Sequence, residues 1–155
     1  VNYYTRHIVG PGAFPGSGAV DFTDRALPTT AMGWEVDSDG LFDILTRVTR
    51  DYGDLPLVMT ENGAAFDDEL AADGSIHDPR RIDFLATHLE AGARAIAAGV
   101  PLRGYFAWSL MDNFEWADGY SKRFGIVRVD YPTRGRTIKD SARWYGDVIA
   151  RNGLA

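Results

Sequence analysis

Two segments of the chain combine carboxylates with features that suit chemistry on a substrate. In the first, Glu61 stands in Thr60-Glu61-Asn62-Gly63, directly after an apolar run, and the nearby glycine lets the chain turn sharply. A carboxylate held rigidly at the end of a strand can act as a nucleophile or a general base. It can also do no more than cap the following turn, and position alone leaves both interpretations open.

The second segment, Trp108–Trp116 (WSLMDNFEW), follows another apolar run. It contains two tryptophans, a glutamate and an asparagine, which is a mixture that carbohydrate sites use. The face of a Trp ring stacks on the apolar C–H face of a sugar, while carboxylates and amides bind its hydroxyls. The alternative is that Trp108 packs in the core and that Glu115 is an acid in a solvated loop.

Other polar clusters are weaker candidates. His7, His77 and His88 form no HExxH or His-x-x-x-His pair, so no metal site is predicted, and His88 is expected to pack or to lie on the surface. Because the sequence has no cysteine, disulfides, thiolate metal sites and a cysteine nucleophile are excluded. The acids Asp67–Glu69 have the pattern of a solvated loop.

The composition of the 155 residues is that of an ordinary globular protein, with 45% hydrophobic and 25% charged residues. The net charge is −6 and the basic residues are not clustered, which disfavours binding to nucleic acid or to an anionic membrane surface. No apolar run approaches the roughly 18 residues that a membrane-spanning helix needs. The compartment stays open, with the cytoplasm favoured.

The elements that must position these side chains are strands alternating with helices. Apolar runs predict strands at Val1–Thr5, Leu55–Thr60 and Leu102–Leu110, with a more alternating, peripheral one at Phe124–Asp130. Consecutive apolar residues suit strands that are covered on both faces, as in a parallel sheet. The alternation of strands and helices along the chain likewise predicts an α/β fold with a parallel sheet. In such folds the carboxyl edge of the sheet carries the site.

Three helices are predicted from apolar residues at helical spacing. The first covers residues 40–52, with Ser38 or Asp39 as its N-cap. The second begins at Asp78-Pro79 and ends at Gly99, and the third covers residues 139–152. The side chains expected to face the core are Ile82, Leu85, Leu89, Ala93 and Ile96 in the second helix and Ala142, Tyr145, Val148 and Ile149 in the third.

Several motifs follow one another along nearly the whole chain. They are Asn2–Thr5 (NYYT), Met32–Val36 (MGWEV), Leu57–Gly63 (LVMTENG), Asp78–Ile82 (DPRRI), Gly104–Trp116 (GYFAWSLMDNFEW), Gly119–Gly125 (GYSKRFG) and Lys139–Tyr145 (KDSARWY). In this order and spacing they resemble the C-terminal part of the family 1 glycoside hydrolases, the β-glucosidase family of retaining (β/α)8 barrels.

The resemblance implies catalytic roles for residues at matching positions. Glu61 matches the nucleophile that forms the glycosyl-enzyme, and Tyr4 matches the tyrosine that donates a hydrogen bond to it, with Asn2 nearby. The resemblance also implies substrate contacts: the −1 platform, the residues that hold the glycone hydroxyls, an aromatic near the far edge of the sugar, and the aglycone wall. The matching residues are, in that order, Trp108, Glu115 with Trp116, Phe124, and Trp34.

As for the fold, the resemblance implies an α/β (β/α)8 TIM barrel of which residues 1–155 are the C-terminal portion of a single domain, supplying strands 6–8. The acid/base glutamate of the family lies in an early Thr-Asn-Glu-Pro-like motif, which does not occur in this sequence. The family's early Gln and His sugar contacts are missing as well. We therefore expect this chain to carry the nucleophile half of the site and to need an N-terminal barrel half as a partner.

Three hypotheses follow. The chain is part of a β-glucosidase that hydrolyses terminal non-reducing β-D-glucosyl residues, and is itself inactive alone; or it is a remnant that binds sugars without cleaving them; or it is a fragment that folds only with its partner. The expected ligands are β-glucosides or short β-linked oligosaccharides, with no cofactor and no metal. A carboxylate at Glu115 would repel a sugar 6-phosphate, so a neutral sugar is expected. Glucose, galactose and fucose are not distinguished.

Overall fold

The fold is known from a computed structural model, which describes residues 1–11 and 20–154. Its strands are β1 (Val9–Pro11), β2 (Val20–Phe22), β3 (Leu57–Asn62), β4 (Leu102–Ala107), β5 (Val127–Asp130) and β6 (Gly135–Ile138). Its helices are α1 (Ser38–Tyr52), α2 (Pro79–Ala97) and α3 (Asp140–Arg151), with a 3-10 turn at Trp116–Asp118. The order β3–α2–β4–α3 is the predicted alternation of strands and helices.

The central sheet is parallel, as predicted. β3 pairs with β4 in a parallel register that places Leu57 opposite Leu102 and Asn62 opposite Ala107. The predicted first strand lies along the other edge of β3, where the backbone N–H of Tyr3 donates to the Glu61 carbonyl at 3.0 Å. That segment forms only one bridge, between Asn2 and Glu61, and so is shorter than the predicted strand. Three parallel segments therefore end side by side.

Helix α1 buries an apolar stripe that includes Leu41 and Leu45 against the sheet. Its N-cap is Asp37, whose carboxylate accepts a hydrogen bond from the Gly40 N–H at 3.1 Å. The prediction of Ser38 or Asp39 as the cap is wrong, because both residues already lie within the first turn of the helix.

Helix α2 begins after Asp78 as predicted, and Leu85 of the predicted inward face is buried, but Ala93 and Ile96 of that face are exposed. Ile96 is 53% exposed, and the helix instead buries a neighbouring stripe. The reason is that Arg81, which the pattern assigns to the polar face, is buried with ionic partners, and this turns its side of the helix inward. The buried residues of α2 are Arg81, Phe84, Leu85, His88, Ala91, Gly92 and Ala95.

Helix α3 agrees with its predicted range to one residue at each end, and Val148 is buried as expected. Ile149 is 63% exposed, contrary to the prediction, because it faces a groove of about 390 Å³ that α2 and α3 leave open between them. The predicted peripheral strand forms as β5, shorter than expected, and pairs antiparallel with β6. β1 and β2 form an antiparallel hairpin within the Gly/Pro-rich segment, whose residues 12–19 lie outside the described part of the chain.

The core is formed by two apolar clusters, one between α1, α2 and β3 and the other where α2 meets the loop after β3. Within the described residues, no helix combines the length and the apolar character required to cross a membrane.

Candidate active site

The parallel sheet brings the ends of three segments together at one edge, and the predicted catalytic residues lie there. Glu61 is near the end of β3, half-buried, and Tyr4 follows the first segment beside it. The Tyr4 hydroxyl donates a hydrogen bond to Oε2 of Glu61 at 2.8 Å. On the same segment, the side-chain oxygen of Asn2 accepts a hydrogen bond from the Thr60 hydroxyl.

The pKa of Tyr4 is raised far above its ordinary value. Burial is the main cause, followed by the hydrogen bond to Glu61 and by the negative charges of Glu61 and Glu115. Tyr4 therefore stays protonated at any working pH and can only donate to the carboxylate. The hydrogen bond therefore fixes the orientation of the Glu61 carboxylate.

Glu115 lies at the start of the 3-10 turn after β4, with its side chain half-buried. Burial raises the pKa of this carboxyl first, and the charges of Asp118 and Glu61 raise it further. Glu115 is therefore close enough to Glu61 to sense its charge, and its side chain is half-buried rather than fully solvated.

Aromatic rings form one wall of the site. Tyr4 packs on Trp34 with ring centroids 5.7 Å apart and edge-on against Phe124 at 6.1 Å, and Trp34 and Phe124 are 6.3 Å apart. Phe124 is only 1% exposed, so in this arrangement its ring supports Tyr4 and Trp34 rather than offering a surface to a sugar. Lys122 donates to the Ala31 carbonyl at 2.7 Å, which ties the turn before Trp34 to the loop after β4.

Trp108 follows β4 directly, and its backbone N–H donates to the Asn62 carbonyl at 2.9 Å. The backbone segments that follow β3 and β4 approach so closely at this point that a Cβ on Gly63 would lie 1.7 Å from the Trp108 carbonyl oxygen. The half-buried Trp108 is thereby held beside Asn62 and Gly63, the two residues that follow Glu61. Trp116, in contrast, is 84% exposed on the 3-10 turn and is not drawn into the aromatic wall.

A buried ionic cluster lies beneath this edge, and sequence reasoning missed it. It consists of three carboxylates and three cations, which are Asp68, Asp78, Asp112, Arg81, Arg123 and Lys139. The interpretation of residues 67–69 as a solvated loop is wrong for Asp68, whose side chain is 1% exposed between Arg81 and Lys139. The available signal was that most of these residues stand in the motifs that carry the family resemblance.

The three histidines behave in different ways. His88 is fully buried and stacks on Phe84 with ring centroids 3.9 Å apart, which agrees with a packing role. His77 binds Asp140 through Nδ1 at 2.6 Å and Ser75 through Nε2 at 3.0 Å, the connectivity of a hydrolytic triad. The Ser75 hydroxyl, however, donates to Asp73, and the hydrogen bond with Asp140 raises the pKa of the exposed imidazole, which disfavours the neutral ring that a general base requires.

No group of three or more His, Cys, Asp or Glu residues that could hold a metal ion occurs in residues 1–11 and 20–154. The chemistry that the described site offers is that of a carboxylate held by a tyrosine hydroxyl, near a second carboxylate and flanked by large aromatic rings.

The chain is similar to known proteins of one family. The model of glycosyl hydrolase family 1 matches residues 4–154. β-Glucosidase A of Thermotoga maritima is 53% identical over 99% of this chain, and a bifunctional β-D-glucosidase/β-D-fucosidase of Bifidobacterium breve is 54% identical over 97%. The chain spans 34% and 36% of these two relatives, about a third of their length.

Solved structures give the same result. The T. maritima β-glucosidase in complex with glucoimidazole superposes with a TM-score of 0.93 at 53% identity, covering 99% of this chain and 34% of that one. The same enzyme in complex with deoxynojirimycin gives a TM-score of 0.94 at 52% identity, with the same coverage. The predicted family resemblance and the predicted partial (β/α)8 barrel are thus both confirmed.

Proposed function

Because the chain belongs to glycosyl hydrolase family 1, we propose that it supplies the nucleophile half of a retaining β-glucosidase. The observation that carries this proposal is the 2.8 Å hydrogen bond from Tyr4 to Glu61 at the meeting point of the strand ends. The bond holds one carboxylate oxygen, Oε2, and leaves Oε1 as the atom that attacks the sugar. We assign Glu61 as the nucleophile and Tyr4 as the residue that holds it.

The proposed reaction has two displacement steps. Oε1 of Glu61 attacks the anomeric carbon, and the bond from that carbon to the aglycone oxygen breaks as the new ester bond forms. The leaving oxygen takes a proton from a second carboxyl group about 5–5.5 Å from the first. Water then attacks the same carbon, gives its proton to the second carboxylate, and releases Glu61 with the original configuration restored.

The second carboxyl group belongs to the part of the barrel that precedes this chain in the family pattern. We therefore propose that the chain acts together with an N-terminal barrel portion. In the described structure β4 pairs with β3 alone, which leaves a sheet edge that can receive a further strand, and the largely exposed Phe106 on β4 leaves an apolar surface on the face of the sheet. Large exposed apolar side chains also occur in the segment that follows β4, among them Leu110, Phe114 and Trp116.

The proposed substrates are β-glucosides and short β-linked oligosaccharides with a terminal non-reducing β-D-glucosyl unit. Trp108 would form the platform under that unit, Glu115 and Trp116 would bind its hydroxyls with Asn2 nearby, and Trp34 would line the aglycone side. For Phe124 we propose support of the wall. The charge of Glu115 disfavours sugar 6-phosphates. The B. breve relative is named as both a glucosidase and a fucosidase, so we propose no preference for glucose over fucose.

The test is hydrolysis of an aryl β-D-glucoside by the chain alone and by the chain joined behind the N-terminal two thirds of T. maritima β-glucosidase A, the relative of which it spans 34%. We expect hydrolysis only by the joined protein, and its loss in the Glu61→Gln variant. A joined protein that folds and keeps its activity after Glu61→Gln would overturn the proposal, and activity of the chain alone would contradict the need for a partner.

A second candidate function is sugar binding without cleavage. Glu115 and the large rings of Tyr4 and Trp34 could bind a sugar whether or not a second carboxyl group is present. Tryptophan fluorescence during titration of the chain with glucose separates the two. Saturable binding together with no hydrolysis by the joined protein would support a binding remnant, whereas a flat titration of the chain would count against it.

A further inference from the structure

The buried ionic cluster joins three segments that are far apart in sequence. They are the loop after β3, the loop after β4 and the start of α3. Lys139 is at its centre: its side chain is fully buried and its ammonium donates to Asp68, to Asp112 at 3.3 Å and to the Gly125 carbonyl. A buried ion pair of this kind is weak evidence for stability, but it can fix one arrangement of the chain.

The cluster holds Gly125 from both sides. Lys139 binds its carbonyl oxygen, and the Asp112 carboxylate accepts a hydrogen bond from its N–H at 3.0 Å. The backbone at Gly125 is also packed closely against the backbone at Asp112, because a Cβ on Gly125 would lie 2.2 Å from the Asp112 backbone nitrogen. The peptide groups on either side of this glycine are therefore fixed in place.

The residue before this fixed glycine is Phe124. Its carbonyl accepts a hydrogen bond from the Ser109 N–H at 3.3 Å, and its buried ring meets the Tyr4 ring edge-on. Tyr4 in turn donates to Glu61. A continuous set of contacts thus runs from Lys139 through Gly125, Phe124 and Tyr4 to the carboxylate.

A second branch of the cluster reaches the loop after β3. Arg81 donates to the Arg123 carbonyl at 2.8 Å and to Asp68, and its Nε lies 3.4 Å from the Ala64 carbonyl, three residues after Glu61. Asp78 binds the backbone N–H and the hydroxyl of Ser141 in α3 at 2.8 and 2.6 Å. The loops that flank the site are therefore bound to the same unit.

From these contacts we infer that Lys139 is a positioning residue of the site: with Asp112 it fixes Gly125, so that Phe124 supports Tyr4 in the orientation that holds Glu61. The importance of Lys139 for catalysis rests on the proposed role of Glu61. The Tyr4–Phe124 ring contact, which Lys139 is inferred to maintain, does not depend on that role. The cluster can therefore be tested without any measurement of hydrolysis, in the 155-residue chain or, if that chain gives no folded spectrum, in the joined protein.

The experiment is NMR of the chain with labelled aromatic residues, which reports two ring contacts at once. One is Tyr4 with Phe124, and the control is Phe84 with His88 on the inner face of α2. In Lys139→Met we expect the Tyr4–Phe124 contact to be lost and the Phe84–His88 contact to be kept. The matched control is Arg151→Met at the exposed end of α3, which should keep both contacts.

The outcomes separate positioning from simple stabilisation. Retention of both contacts in Lys139→Met overturns the inference. If both are lost, the milder Asp112→Asn variant decides: selective loss of the Tyr4–Phe124 contact supports the inference, and any other pattern overturns it. If the joined protein with Lys139 in place folds but does not hydrolyse the glucoside, the proposed function is overturned. Selective loss of the Tyr4–Phe124 contact in Lys139→Met would still support the positioning role of Lys139.

Discussion

The Tyr4 hydroxyl donates a 2.8 Å hydrogen bond to Oε2 of Glu61, across two parallel segments that are 57 residues apart in sequence. We predict that Tyr4→Phe in the joined protein lowers kcat/KM for an aryl β-D-glucoside by about 10- to 100-fold, because a hydrogen bond to a charged group contributes about 1.5–3 kcal/mol. The control is Tyr52→Phe, which removes an exposed hydroxyl at the end of α1. Equal kcat/KM in wild type and Tyr4→Phe would contradict the role of this bond.

The close crossing of Gly63 and Trp108 gives a prediction about stability. Gly63→Ala places a Cβ 1.7 Å from the Trp108 carbonyl oxygen, so backbone must move on one side. We expect a loss of about 3 kcal/mol or more in the free energy of unfolding, measured with urea. Gly146→Ala in α3 is the matched control, because its Cβ would meet open space; a helical alanine there should add about 0.5–1 kcal/mol. Equal effects of the two substitutions would contradict the crossing.

Burial lowers the pKa of His88 to about 4, so the folded chain holds its imidazole neutral. The unfolded chain binds the proton near pH 6.5, so the stability due to the neutral ring is complete above that value and is lost as the pH falls towards 4. In His88→Leu this dependence is absent. Relative to the variant, the wild type should lose about 2–3 kcal/mol between pH 7.5 and 4.5 in urea unfolding. Parallel curves for the two proteins would show that His88 is not the titrating group.

The raised pKa of Glu115 predicts a conflict between binding and stability. Partial burial and the charges of Asp118 and Glu61 disfavour its carboxylate, so Glu115→Gln should raise the thermal midpoint of the chain at pH 7. The gain should be below about 1 kcal/mol and should vanish near pH 3.5, where both side chains are neutral. The same substitution should weaken glucose binding. A lower midpoint at pH 7 would contradict this electrostatic assignment.

The part of the fold that sequence could predict is the part that depends on local pattern. The apolar run before Glu61, the helix start at Asp78-Pro79 and the alternation of strand and helix are each contained in a short window, and each corresponds to an observed element. The parallel pairing of β3 and β4 follows from that alternation. The site edge of the sheet was therefore predictable, and Glu61 and Tyr4 meet at it as expected.

The buried face of α2 could not be predicted in the same way. An arginine counts as a polar position in any periodic pattern, yet Arg81 is buried because its guanidinium binds Asp68 and the Arg123 carbonyl. These two partners lie 13 and 42 residues away along the chain. Such partners exist only once the fold is formed. The same holds for Lys139, whose carboxylate partners come from two different loops.

The central claim is that Glu61 is the nucleophile, and covalent trapping tests it most directly. The joined protein is treated with 2-deoxy-2-fluoro-β-D-glucosyl fluoride, whose fluoride departs without an acid and whose ring fluorine slows the second displacement. We predict that one 2-fluoroglucosyl group accumulates as an ester on Glu61, located by mass spectrometry of peptides, and that Glu61→Gln abolishes labelling. A stable label on any other carboxylate, with Glu61 unmodified, would contradict the assignment.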